Sequence, residues 1–145
     1  MKHRLLSLVA PFALLACSQA ASAAVVEVVR SPTCGCCSDW IEHLRRSGMQ
    51  VRVTEVPDTS PIAKKLGVPE ELRSCHTAKV GGYVVEGHVP ASDIKMLLAK
   101  KPAATGIAVP GMPMGSPGMD QAGAKEAFAT ILFDAKGKRQ VFARH

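Results

Sequence analysis

The stretch Ala24–Gly48, AVVEVVRSPTCGCCSDWIEHLRRSG, reads as strand, turn and helix, and the rest of the chain can be ordered around it. Ala24 to Arg30 is β-branched and apolar, which suits a buried first strand. Ser31-Pro32-Thr33 breaks that run. A helix is expected from about Cys37 to Ser47, because Cys37, Trp40, Ile41 and Leu44 recur at i, i+3, i+4 and i+7 and share one face. Gly48 ends it as a C′ glycine.

Working outward, Gln50 to Val56 alternates and predicts a second strand. Ser60-Pro61 opens a short helix to Leu66, closed by Gly67. Thr77 to Val80 and Tyr83 to Glu86 flank Gly81-Gly82, a strong hairpin signal. Pro90 to Lys100 predicts a third helix with Ile94, Leu97 and Leu98 inward. The order β-α-β-α-β-β-α is the plan of an α/β thioredoxin-like fold. Cys34 and Cys37 form a C-x-x-C at the strand-to-helix turn, where such folds carry their active pair. Residues 102 to 123 alternate proline and glycine around Met112, Met114 and Met119 and are expected to be a loop. Ala129 to Asp134 and Arg139 to Ala143 predict a closing β-hairpin. No internal repeat is visible.

The 145 residues suit one domain, 24–145, once a leader is set aside. Lys2 and Arg4, the apolar run Leu5 to Ala16 and the small residues Ala21-Ser22-Ala23 predict a signal peptide at 1–23. The run is short of the roughly 20 residues a spanning helix needs. A competing reading takes Leu14-Leu15-Ala16-Cys17 as a lipobox, making Cys17 the lipidated first residue of a lipoprotein. Both place the protein outside a bacterial cytoplasm, the first as a soluble periplasmic chain. No transmembrane segment is expected after removal of the leader. The formal charge of +6 falls to +4 when Lys2 and Arg4 leave. The remaining cations are scattered, without a basic stripe carrying aromatics, so nucleic acid is not an expected partner.

Four cysteines then remain: Cys34, Cys36, Cys37 and Cys75. An even count outside the cytoplasm normally means disulfides. Three within four residues cannot all be structural staples, since each bridge needs its own Cα separation and Cβ direction. Thiolates at a helix N-terminus are stabilised by unpaired N–H groups and the helix dipole. A lowered pKa serves either attack on a disulfide or metal ligation. A redox pair needs two sulfurs, and Cys36 is a third. With Cys75 arriving from elsewhere, the donors suit Cu(I), or less well Zn(II). Thiolates bridging several Cu(I) ions relieve the crowding of four sulfurs on one centre.

His88 lies between Gly87 and Pro90, which hold its backbone, and is a candidate metal ligand. His76, beside Cys75, either ligates or bonds within its turn. His43 falls on the polar face of the first helix and is expected to be solvated. His145, at the end of the chain, and His3, in the leader, are assigned no role. Met112, Met114 and Met119 are either gap-fillers or accessory copper donors. Asp39 and Glu42 show no acid/base pairing, and no serine lies in a nucleophile motif.

Three runs, CGCC at 34–37 followed by Trp40, SCHTAKVGGYVVEGHVPASDI at 74–94 and GIAVPGMPMGSPGM at 106–119, together resemble the bacterial periplasmic copper-resistance CopG-type family. That family was long catalogued as a metal-binding domain of unknown function. The resemblance covers about Val25 to Phe142. It implies a thioredoxin-like fold whose cysteines hold a cysteine-bridged cluster of copper ions able to change redox state. The matching ligand positions are Cys34, Cys36, Cys37 and Cys75; His76, His88 and the methionines lie within matching motifs.

The expectation is a periplasmic protein that binds several Cu(I) ions and interconverts Cu(I) and Cu(II) in copper resistance, alongside other periplasmic copper-handling proteins. The alternative is a thioredoxin-type thiol–disulfide oxidoreductase using Cys34 and Cys37. A third reading is a zinc-stabilised interaction module.

Overall fold

The computed structural model describes residues 24–119, 123 and 125–145. The expected leader, 1–23, and the lipobox residue Cys17 lie outside the described residues. The elements run β1 (Val26–Arg30), α1 (Gly35–Arg46), β2 (Val51–Glu55), α2 (Ser60–Lys65), a 3-10 turn (Glu70–Leu72), β3 (His76–Val80), β4 (Tyr83–Gly87), α3 (Ala91–Lys100), β5 (Gly106–Val109), β6 (Ala129–Phe133) and β7 (Arg139–Arg144). The first four strands and three helices follow the predicted β-α-β-α-β-β-α order. The closing hairpin is β6–β7.

All seven strands form one mixed sheet in the order β2-β1-β3-β4-β5-β6-β7. β1 pairs with β2 in parallel, Val28 opposite Val53, and with β3 antiparallel, Val28 opposite Ala78. β5 is a strand inside residues 102–123, which the sequence predicts to be a loop throughout. Gly106, Ile107, Ala108 and Val109 are all buried, and they pair in parallel with β4 and antiparallel with β6. Gly106 is required there because a Cβ would collide with the Val84 carbonyl. This strand carries the sheet across to the final hairpin.

Side-chain alternation divides the sheet into two faces. Val26, Val28, Ala78, Val80, Val85, Ile107 and Val109 face α1 and α3, meeting Trp40, Ile41, Leu44, Ile94 and Leu97. On the other face, Ala63, Val68 and Leu72 cover only Val84, Ala108 and Phe133. α2 has only six residues and flanks the second face over β1–β3 without covering it. Trp40 is fully buried, and its indole N–H donates to the Val89 carbonyl at 2.9 Å. Truncating such a residue costs about 3–5 kcal/mol.

Two histidines contradict their sequence assignments. His43 is not simply solvated: its Nε2 accepts the Ala91 N–H at 3.1 Å, joining α1 to the start of α3. His145 stacks on Phe128 and lies 2.9 Å from the carboxylate of Asp93, which also accepts the Thr130 hydroxyl. Asp93 is buried, so the sequence pattern could not reveal that a distant hydroxyl and imidazole satisfy it. Among the described residues, no helix is long and apolar enough to cross a membrane.

Candidate metal centre

The cysteine turn follows β1 directly. Cys34 occupies the N-cap of α1, in extended backbone and without a side-chain cap, and the first turn of α1 holds no acidic residue. Anionic sulfur is therefore met by free backbone N–H groups and no opposing carboxylate. Arg30, the last residue of β1, reaches back beneath the turn. Its guanidinium donates to the Cys34 carbonyl at 3.1 Å, to Ser38 Oγ at 2.8 Å and to Glu55 at 2.6 Å. The helix begins two residues earlier than expected, which puts Cys36 and Cys37 inside its first turn.

The sulfurs of Cys34, Cys36 and Cys37 all lie within 4.8 Å of one another. Cys34 and Cys37 are joined as a disulfide, while Cys36 and Cys75 are free. Cys36 Sγ sits 3.5 Å from Cys34 Sγ. Cys37 is buried; Cys34 and Cys36 are partly open to solvent. The three-sulfur group needs only reduction of one bond to present three soft donors together.

Cys75 lies outside that tight group. Its thiol is 3.6 Å from the Met112 sulfur. Burial pushes its pKa up, and the charges of Cys36 and Glu86 push it further the same way. The repulsion from Cys36 marks Cys75 as within electrostatic reach of that one sulfur. A cation arriving among these sulfurs would reverse it.

His76 follows Cys75 in the chain, and His88 packs on it edge to face. His76 is fully buried, with its ring centroid 4.3 Å from Trp40 and 5.0 Å from His88. Its Nε2–H donates to the Gly87 carbonyl at 2.9 Å, leaving Nδ1 as a bare lone pair. Burial, then the neighbouring His88, holds its pKa down at about 3. His88 donates from Nδ1 to the Pro117 carbonyl at 2.8 Å, so its Nε2 is also a bare lone pair without a described partner. Burial lowers its pKa, only partly offset by that bond. Both rings are neutral at neutral pH, the form that ligates metals.

The Met/Gly/Pro loop is packed closely against the rest of the fold. Ser116 is buried and its hydroxyl donates to the Pro113 carbonyl at 2.7 Å. Gly118 has φ +85°, and a Cβ there would lie 2.7 Å from Trp40 N and 2.8 Å from Cys36 O. The loop thus lies against the first turn of α1. Met114 and Met119 are half-buried, whereas Met112 is 37% exposed and takes a left-handed φ of +47°. A non-glycine residue in that region carries backbone strain.

Sequence reasoning missed Arg30 and Glu86. Glu86 is fully buried, and its Oε1 accepts the Ser74 N–H at 2.6 Å beside Cys75. Burial raises its pKa to about 7, against the opposing pull of Thr77, the Ser74 N–H and Arg73. A lone carboxylate inside the apolar strand YVVEG was the available signal.

The sulfur donors suit a soft ion: the three clustered sulfurs of Cys34, Cys36 and Cys37, and the Cys75 thiol beside the Met112 thioether. A family described as a protein of unknown function, DUF411, matches residues 72–119, which hold Cys75, His76, His88 and the methionines. No curated protein matches the chain. Two solved structures of a copper resistance protein CopG, its Form 2 and Form 1, are each 41% identical with a TM-score of 0.80. The matches cover 86% of this chain and 99% and 98% of theirs. Likeness at that identity, over nearly the whole length of those proteins, makes this chain a member of the CopG copper-resistance family.

Proposed function

We propose that this protein binds copper as Cu(I) in a cysteine-bridged site of more than one ion, outside the cytoplasm, and interconverts Cu(I) and Cu(II) in copper resistance. Cys34, Cys36, Cys37 and Cys75 supply the sulfurs, and His88 adds an imidazole nitrogen through Nε2. The observation that carries the reading is the approach of three cysteine sulfurs to within 4.8 Å of one another. Once the Cys34–Cys37 disulfide is reduced, three thiolates so close repel one another strongly unless cations sit among them.

Copper is the substrate of this site, and the chain's own residues set its terms. An external dithiol reduces the Cys34–Cys37 disulfide by exchange, giving up two electrons and two protons and leaving as a disulfide, which restores both sulfurs as donors. Arg30 holds the turn through the Cys34 carbonyl during that change. His88 bonds the Met/Gly/Pro loop at Pro117, and Met112 of the same loop lies beside Cys75 as an accessory thioether. Softness of the donors favours Cu(I) over zinc, which remains the weaker candidate. The site's copper is exchanged with other copper-handling proteins of the same compartment.

The test is copper stoichiometry on anaerobically reduced protein. More than one copper per chain is expected, and Cys36→Ser should collapse it. A Cys36→Ser protein still holding several coppers would sink the multinuclear reading.

A second reading, a thioredoxin-type oxidoreductase, is favoured by the Cys34–Cys37 disulfide. It needs only those two sulfurs. Cys36→Ser should then leave disulfide reduction intact while copper binding is weak in both proteins.

A further inference from the structure

The second face of the sheet holds a cleft unrelated to the cysteines. Because Val26, Val28, Val51, Val53, Ala78 and Val80 face α1 and α3, their alternate neighbours on β1, β2 and β3 point the other way. There they meet only the flank of the six-residue α2. The result is an open hollow of about 460 Å³. That volume lies within the range of small-molecule sites, roughly 300–1,000 Å³.

Its walls combine two chemistries. Val29 on the sheet, Ile62 in α2 and Leu66 at its C-terminal end form an apolar lining. Arg52, Lys65 and Lys79 bring three cations from three different elements. Glu27 is the carboxylate among the lining residues, and it lies 3.5 Å from Arg52. No described carboxylate pairs with Lys65 or Lys79. Two lysines converging on one hollow repel each other, and the hollow presents apolar surface to water between them. An anion bearing an apolar body relieves both costs at once.

We propose that this cleft binds a small amphipathic organic anion, its carboxylate or sulfonate head on Lys65 and Lys79 and its apolar body against Val29, Ile62 and Leu66. The bounded hollow and its lack of aromatic side chains disfavour a nucleic acid strand. The cleft and the cysteine group lie on separate parts of the molecule, so anion occupancy and copper loading are measured separately.

Anilinonaphthalene sulfonate, an apolar ring system with one anionic head, is the probe. Titrated into the folded full chain, it should bind saturably at one per chain. Amide shifts should concentrate at Val29, Thr54, Ile62 and Leu66. Lys65→Glu with Lys79→Glu should weaken binding about tenfold or more, the sum of two partly exposed ion pairs. Lys65→Gln with Lys79→Gln, a milder change to the fold, should weaken it less but measurably. Copper stoichiometry should not change in either variant. Absence of saturable binding, shifts centred elsewhere, or binding indifferent to both charge changes in proteins with unaltered circular dichroism would each overturn the proposal.

Discussion

His88 and Pro117 are joined by a hydrogen bond of 2.8 Å, from the imidazole Nδ1–H to a carbonyl of the Met/Gly/Pro loop. This contact fixes the tautomer of His88 and leaves its Nε2 lone pair bare in the interior. The same bond anchors a loop that has little regular structure of its own. One side chain thus ties the loop to the buried imidazole proposed as a ligand.

His88→Ala should remove both functions. Loss of the loop bond and of a buried side chain should cost about 2 kcal/mol of stability. Urea denaturation of the metal-free protein measures that part. Copper stoichiometry or affinity should fall as well, whereas His43→Ala, far from the sulfurs in role, should lower stability alone.

Gly118→Ala tests the close approach of the loop to α1. The substitution meets both a φ of +85° and backbone atoms of Trp40 and Cys36 at under 3 Å. A cost of about 1–3 kcal/mol is expected, with the loop displaced. Limited proteolysis across residues 110–119 should be faster than in the wild type. Gly137→Ala, at φ +83° but in open space, should show the strain without the faster cleavage.

Arg30→Met should destabilise the cysteine turn, because the Cys34 carbonyl, Ser38 and Glu55 lose a shared donor. About 1.5–3 kcal/mol is expected for hydrogen bonds to a charged group. Arg30→Lys should recover only part of it, since an ammonium cannot match the planar fork. Thermal denaturation of the oxidised, metal-free chain reads this directly.

The acid limb of stability is set by buried groups acting in opposite directions, two histidines and a glutamate. His76 has a folded pKa of about 3 against an ordinary 6.5, so the unfolded chain binds more protons between those values and stability rises with pH there. His88, also lowered, acts in the same direction. Glu86 has a folded pKa of about 7 against an ordinary 4.5, so its contribution is present below pH 4.5 and fades as pH rises through 7. Between pH 4.5 and 6.5 the His76 and Glu86 slopes oppose each other. Glu86→Gln should remove one of them and steepen the rise by about 1.4 kcal/mol per pH unit. Denaturation of metal-free protein across pH 4 to 7 gives the slope; an unchanged slope would refute the assignment.

Local sequence carried most of the framework because its signals are local. Val26 to Arg30, the 3.6-residue spacing of Trp40, Ile41 and Leu44, and the Gly81-Gly82 turn each follow from neighbouring residues alone. β5 escaped because its four residues sit among prolines and glycines. Its strand character comes from pairing with β4 and β6 on either side, which no short window contains. The same limit hid the role of His145, whose partner Asp93 is 52 positions away.

For the cysteine site, sequence by itself determined the chemistry: three thiols in one turn, a fourth before a hairpin, and thioethers in a glycine-rich run. Covalent connectivity forces Cys34, Cys36 and Cys37 together whatever the fold does. Only tertiary structure decided what surrounds them. It bonded Cys34 to Cys37, set Cys75 beside Met112 rather than inside the tight group, placed Arg30 beneath the turn, and left the His88 Nε2 bare by spending its Nδ1–H on Pro117. Those relations depend on long-range packing of the sheet and loop, where burial and a few hydrogen bonds select one arrangement among many.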